Sequence, residues 1–480
     1  MSKVVVLPID DRPCHNDFIV DALRYVDNVS LVMAPKTMLG HFTNGGDVDA
    51  MASFLKTTCK DADMLIVSVD GLLYGGLVQA RTAESTIDAD KYKRLLDTLT
   101  ILKQQNPKLK IYAYSVIMRL TTTVTDSSQL KTWESLFKYS QLVHRARIDA
   151  QFTKELHDVE ATIPPKALEM YLNARKRNHA INRASVKLVA EGIIDYLVLV
   201  QEDTSEYGMH VEEQAALRAL IQDLNVDNAV KMKNGTDEMV ALLMARFLNQ
   251  HGSSVTIDTQ FVDPNYVAIF EDKPALVNLA DSCDVARLTQ GESENVLLVL
   301  PAKGKSIDLC FEAKPDEIQV DDAAIDAYMK YAGKPIAVLD LQFGNGGDIR
   351  SLERVMEALK PRHLIGYSAW NTGSNSIGTI LLDIVIANRY HVNPEYVAMR
   401  IVDDALYQGD VRSVINQEMK SRGLDVWAEN YDAAINEETT QLLNKTIQQY
   451  PFIGDYTVNA HLPWGRSFEV LIEVKKYEEV

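Results

Sequence analysis

The sequence predicts an α/β protein built on parallel sheets. Three observations predict it: short β-branched apolar runs recur, each closes on polar or glycine-rich residues, and a helical stretch follows most of them. That is the signature of repeated βα units. In a closed barrel every strand end faces one mouth, whereas in an open sheet only the strands beside the switch point reach a ligand. Nearly every early run ends in a charged or amide residue, so the expected form is a (β/α) barrel-like N-terminal domain followed by a smaller α/β domain. Two doubly wound parallel-sheet domains are the alternative.

The runs in order are Val4–Leu7, closing on Asp10-Asp11-Arg12, then Val29–Ala34, Met64–Val69 closing on Asp70-Gly71, and Lys110–Ile117 closing near Arg119. Tyr196–Val200 closes on Gln201-Glu202-Asp203, and Ala229–Met232 on Asn234-Gly235-Thr236-Asp237. Val255–Ile257 and Val267–Phe270 are expected as the seventh and eighth strands. Residues 129–191 are too long for an ordinary connection and read as a helical insertion whose arginines are mostly a solvated face. A second series follows, with Val296–Leu300, Ile336–Leu339 and His363–Ile365, then a buried helix over Ile377–Ala387. The expected domains are 1–285, 286–390, and a mostly helical 391–480 with a closing strand over Phe468–Val474.

Composition narrows the function. Lys and Arg number 49 against 67 Asp and Glu, a net charge of −18 with no basic run, which excludes the footprint of a nucleic-acid or anionic-membrane binder. The first residues turn polar after one short apolar run, so neither a signal peptide nor a membrane span is expected. Four scattered cysteines, Cys14, Cys59, Cys283 and Cys310, lack disulfide or zinc spacing and fit a reducing, cytoplasmic setting. The expected partner is a small polar, sugar-like substrate, with homo-oligomerisation open. Phosphate-loop, dinucleotide, zinc-helix and serine-elbow motifs do not occur. His15, His41 and His210 stand isolated in sequence.

Three segments suit chemistry better than turn geometry. Glu202-Asp203 at a frayed strand end would bring two carboxylates together, and such a pair splits into an acid and a base. Trp370-Asn371 with Asn375, at a helix start, offers an exposed stacking face and neutral hydrogen-bond partners. Asp10, Asp11, Arg12, Asp70, Tyr74, Asn234, Asp237, Asp340, Asn345 and Asp348 lie at strand ends, where aspartates bind hydroxyls or a hard cation. Arg119 is placed to neutralise those aspartates or to grip an anionic group. At any one of these positions, a turn or an N-cap is the competing explanation.

Together the segments LPIDDRP, SVDGLLYGGLVQAR, VQEDTSEYG, NGTDE and YSAWNTGSNSIGT resemble a bacterial family known as domain of unknown function 4127. The resemblance spans about Leu7 to Thr379 and implies no settled reaction. That family often has Asp-Asp where this chain has Glu202-Asp203. A looser analogy is to barrel glycosidases of N-acetylated amino sugars, which would make Glu202 the residue that orients the acetamido group and Asp203 the proton donor.

The leading expectation is therefore a glycosidase-type hydrolase of a small glycoside or amino-sugar derivative. It would use Asp203 and Glu202, with no cofactor. A divalent-metal hydrolase with Asp10, Asp11, Asp70 and Asp203 as ligands, and a non-enzymatic small-molecule-binding protein, are the two alternatives.

Overall fold

The computed structural model describes residues 1–84, 89–250 and 253–477, with side chains undescribed over 89–95. The chain forms two compact units, one of residues 1–16 and 27–236 and the other of residues 17–26 and 237–480.

Among its described residues the first unit holds six strands: β1 Ser2–Leu7, β2 Val29–Met33, β3 Met64–Ser68, β4 Lys110–Ile117, β5 Tyr196–Gln201 and β6 Val230–Asn234. All pair in parallel in the order β2-β1-β3-β4-β5-β6. Successive residues of these strands point to opposite faces, yet β3 and β5 are buried throughout. Helices cover both faces, which is why the strands read as continuous apolar runs. On one face Val5, Leu7, Leu65, Val67, Ile111, Leu197 and Leu199 pack with Met51, Leu55, Leu217 and Ile221. The predicted insertion is indeed helical, as Leu130–Ile148, Thr153–Glu160 and Pro165–Ala190. The last of these buries a polar stripe instead of solvating it. Asn182 donates to Ser115 Oγ and the Val116 carbonyl, and Arg175 and Asn178 are almost wholly enclosed.

The second unit carries β7 Thr256–Phe261, β8 Thr289–Gln290, β9 Val296–Pro301, β10 Ile307–Asp308, β11 Ile336–Leu341, β12 Phe343–Gly344 and β13 Leu364–Ser368. Five of them form a parallel sheet in the order β13-β11-β9-β7-β8, and β10 pairs with β12. An antiparallel pair, β14 Tyr456–His461 and β15 Leu471–Lys476, closes the unit. Helix Gly373–Arg389, buried over most of its length, covers the expected apolar stretch.

Both parallel sheets are open, so the doubly wound alternative describes the chain and the barrel does not. The seventh run pairs with β9 of the second sheet, and 267–270 is a turn containing Phe270 at φ 67°. The unit boundary accordingly falls at 236/237, ahead of the expected 285, and 391–480 belongs to the second unit. Hydropathy period reports which residues are buried and is silent on which strand pairs with which.

Read by chain order within each sheet, the first five positions are second, first, third, fourth and fifth in both units. That order reverses direction between the first and third strands, where a crevice opens at the strands' carboxyl ends. In the first unit the β1 and β3 loops meet there closely. A Cβ on Gly71 would lie 2.6 Å from the Pro8 carbonyl oxygen and 3.1 Å from Ile9 Cα. Both neighbours are backbone and neither can swing aside. Gly71→Ala is expected to cost about 1–3 kcal/mol in urea unfolding; an unchanged midpoint would mean that the two loops part readily.

Candidate functional site

At the carboxyl edge of the first sheet, three successive loops carry the polar groups. After β1, Arg12 Nη2 and Nε donate to the Asp10 carboxylate at 3.0 and 3.1 Å, and His15 Nε2 lies 3.4 Å from Asp10 Oδ1. Asn16 Nδ2 closes the turn on the Asp10 and Arg12 carbonyls. Asp10, Arg12 and His15 are all buried, so they form a braced floor to the loop. Asp11 points elsewhere.

His41, from the loop after β2, donates from Nδ1 to Asp11 Oδ2 at 2.6 Å. The imidazole side chain is 34% exposed and the carboxylate 12%. The loop that carries it is fixed from three sides. His41 and Asn44 exchange backbone hydrogen bonds of 2.8 Å, Gln79 Nε2 donates to the Phe42 carbonyl, and Asp11 N–H donates to the Gly40 carbonyl. An Asp–His pair held in this way fixes the tautomer, since a proton on Nδ1 leaves Nε2 as the basic nitrogen. Sequence reading set His41 aside as isolated. Its partner lies 30 residues away, and only the β1–β2 pairing brings the two loops together.

After β3, Asp70 sits in the first turn of helix Val69–Tyr74, whose N-terminus Ser68 Oγ caps by accepting from Gly71 N–H. Asp70 is fully enclosed and accepts from Val116 N–H at 2.8 Å. Burial pushes its carboxyl up to about 7, against the pull of that N–H and of the Arg177 charge. Arg177 lies 3.9 Å from the centre of the Tyr74 ring.

The expected acid–base pair is divided. Arg81 clamps Glu202 through Nε and Nη2 and donates to Thr123 Oγ1 through Nη1. Arg119 Nη1 donates to Asp203 Oδ2 at 2.7 Å. Asp203 has a φ of 34°, so the chain turns sharply between the two residues and each carboxylate meets its own guanidinium. Asp10, Asp11, Asp70 and Asp203 likewise have four different partners, and among the described residues they do not converge as ligands. Asn234 ends β6, with its carbonyl accepting from the buried Lys233 ammonium.

The remaining predicted residues belong to the second unit. Asp340, at the end of β11, accepts from Gln342 N–H, Asp348 N–H and Tyr367 Oη at 2.8–3.0 Å, and burial raises it to about 6. It shapes the loop Gly344-Asn345-Gly346-Gly347-Asp348. A Cβ on Gly347 would lie 2.1 Å from Tyr367 Oη, so the loop can lie this close only with glycine. Asp348 is an N-cap, accepting from Arg350 N–H, Arg350 Nε and Ser351 Oγ. Asn345 bonds Asp308, Asn371 Nδ2 bonds Asp237, and Asn375 N–H donates to the capping Thr372. Trp370, expected as an exposed stacking face, is 7% exposed and packs 6.0 Å from the Phe468 ring.

Sequence reading also missed a π-helix, Val402–Val411, which carries the buried Asp403, Asp404 and Gln408. Asp404 accepts from Ala369 N–H and Arg400 Nη2, and burial together with the neighbouring Asp404 charge raises Asp403 to about 7. No apolar period marks such a helix.

A family model described as a protein of unknown function (DUF4127) matches residues 4–473. The chain belongs to that family. All five motifs of the resemblance lie within the match. No curated protein matches the DUF4127 chain. Among solved structures it is similar to the carboxyl transferase domain of Rhizobium etli pyruvate carboxylase with 3-bromopyruvate, at 11% identity over 95% of this chain and 62% of that one, with a TM-score of 0.20. The same domain with pyruvate and biocytin gives 11% identity, 87% and 62% coverage and a TM-score of 0.16. The DUF4127 chain thus spans 62% of the length of those structures, and likeness at this level bears on neither its fold nor its function.

The buried acids make stability depend on pH. Folded Asp70 keeps its proton up to about 7, while the unfolded residue loses it near 3.8, so the stability it contributes is full below the lower value and is lost as pH rises through the upper one. The urea midpoint should fall between about pH 4 and about pH 7, and Asp70→Asn should reduce that fall. An equal fall in the variant would show that Asp70 is not among the groups responsible.

Proposed function

We propose that this protein is a hydrolase of a small polar substrate and that its general acid–base residue is His41, oriented by Asp11. The observation that carries the reading is the 2.6 Å Asp11–His41 contact, with a partly exposed imidazole, between the loops after β1 and β2 at the carboxyl edge of the first sheet, whose order reverses between β1 and β3. In open parallel sheets that is where ligands bind. With Nδ1–H committed to Asp11, Nε2 takes the proton of an attacking water and later returns it to the leaving group. Asp10, Arg12 and His15 hold the β1 loop below, and Asp70 supplies a buried carboxyl that stays protonated in mildly acidic conditions.

The glycosidase form of the reading, with Asp203 as proton donor and Glu202 as acetamido partner, draws less support from this geometry. Arg119 and Arg81 already occupy those carboxylates. A sugar-like substrate remains compatible with the polar loops. Among the described residues no helix is long and apolar enough to cross a membrane. No disulfide joins the cysteines among the described residues, and burial pushes three of the thiols, Cys59, Cys283 and Cys310, up to about 12, which supports a reducing, cytoplasmic location.

The test is a screen of the purified full chain against chromogenic glycosides, including N-acetylated amino-sugar glycosides, and against carboxylic and phosphate esters. For any substrate turned over, His41→Ala should lower kcat/KM by about 10²–10⁴-fold. Asp11→Asn should lower kcat in the same direction. Undiminished turnover by His41→Ala would sink the assignment.

A further inference from the structure

We propose that residues 267–274, in the loop after β7, form a lid over the carboxyl edge of the second sheet, and that the Glu271 carboxylate latches it shut. The lid lies wholly in the second unit and does not draw on the Asp11–His41 pair.

The loop runs from Val262 to Pro274, between β7 and helix Ala275–Ala286. That is longer than the about 2–6 residues usual for such a connection, and long loops in compact domains are commonly lids or binding loops. It leaves β7, one of the two strands between which the sheet order reverses. Tyr266 Oη donates to the Leu341 carbonyl, at the end of β11, at 2.9 Å. Ile269 and Phe270 lie over Gly344, where a Cβ would come within 2.6 Å of Ile269 Cγ2 and 3.2 Å of Phe270 Cε2. Ala268 and Glu271 reach Gly373, at the start of the helix after β13: a Cβ there would lie 3.3 Å from Ala268 Cβ and 3.5 Å from Glu271 Oε1. Because β9 lies between β7 and β11, the loop passes over its end too. It therefore crosses the edge at which open parallel sheets bind their ligands.

Three features distinguish a lid from a fixed strap. The base is closed, since Ala275 N–H donates to the Tyr266 carbonyl at 2.8 Å, so the tip can swing without disturbing β7 or the following helix. The tip is thinly buried: from Val267 to Pro274 only Ala268 is buried, and Val267 is 46% exposed. Segments that bury little apolar surface open at low free energy. The shut form is also strained, because Phe270 has a φ of 67°, a left-handed conformation that a bulky residue keeps only where its surroundings impose it.

The latch is a carboxylate. Glu271 Oε1 accepts from Ser374 N–H at 2.7 Å, and Oε2 accepts from Asn278 Nδ2 at 2.8 Å. Ser374 lies in the first turn of helix Gly373–Arg389, where backbone N–H groups have no partner within the helix and a negative charge is favoured. Asn278 Nδ2 also donates to Ser374 Oγ at 2.8 Å, which braces the same point. The Lys273–Asp281 ion pair, by contrast, joins the loop to the helix that follows it and does not cross the edge.

The test is hydrogen exchange of the purified full chain at neutral pH, resolved to single amides and corrected for intrinsic rates. The tip reporter is the residue 271 N–H, which donates to the Ala268 carbonyl at 3.2 Å, and the base reporter is Ala275 N–H. In the unaltered protein the tip should exchange at least tenfold faster than the base and the β11 amides, at a rate that does not rise with urea below the unfolding transition. Glu271→Ala should speed the tip at least tenfold further and leave the base and β11 unchanged. Glu271→Gln, which keeps an acceptor for Ser374 N–H without the charge, should fall between. A tip that exchanges only together with β11 overturns the lid. A tip rate unaltered by Glu271→Ala overturns the latch. Protection lost across the whole second unit in either variant would make the loop part of the core and overturns both.

Discussion

A parallel sheet covered by helices on both faces leaves its polar side chains only the strand edges. Every helix in such a unit runs back along the sheet, so helix N-termini and loop backbones gather at the carboxyl edge. The rest of this structure follows from that constraint. β3 and β5 have no exposed residue, and Asp70, Arg119, Glu202 and Asp203 follow β3, β4 and β5 by one or two residues, with Asp10, Asp11 and Arg12 three to five beyond β1. Charge in such a place must be paired or neutralised. The two sheets do this differently.

In the first unit pairing prevails: Arg12 with Asp10, Arg81 with Glu202, Arg119 with Asp203, and Arg175 with Glu213. Asp11 instead turns to the partly exposed imidazole of His41. In the second unit burial prevails. Asp340, Asp403 and Asp404 are enclosed with raised carboxyl values, and Asp383 is raised well above the usual carboxylate range, chiefly by desolvation. Arg400 and backbone N–H groups compensate only part of that cost. The result is a buried polar core under a glycine loop.

The parallel βα units were legible in the sequence because burial on both faces writes continuous apolar runs, and β1, β3, β4 and β5 lie where those runs end. Sheet closure was not legible. Thr256–Phe261 carries an ordinary strand pattern whichever partner it takes, and its pairing with β9 is a long-range choice made by packing. At the sites, the strand-end aspartates were located correctly as positions, but their partners were hidden. Glu202 and Asp203 look like a pair because they are adjacent, and the left-handed turn at Asp203 separates them. Asp11 and His41 look unrelated because 30 residues intervene. The π-helix carries no periodic signal, so Asp403, Asp404 and Gln408 could not be found from spacing.

The short helix Asp17–Ala22 lies between β1 and β2 in sequence but is part of the second unit. Phe18 packs 4.4 Å from the Arg400 guanidinium, Asn393 bonds the Asp21 carbonyl, and Arg24 pairs with Glu395. During synthesis these partners emerge about 380 residues after Phe18, a delay on the order of 20–80 s at ribosomal speeds. For the last part of that interval, once β6 has been made at Asn234, Phe18 and Ile19 are apolar surface on a nascent chain whose first sheet is already complete in sequence. Transiently exposed apolar surface makes a chain prone to aggregate, so the topology gives this protein a vulnerable period in biogenesis that its finished form does not show.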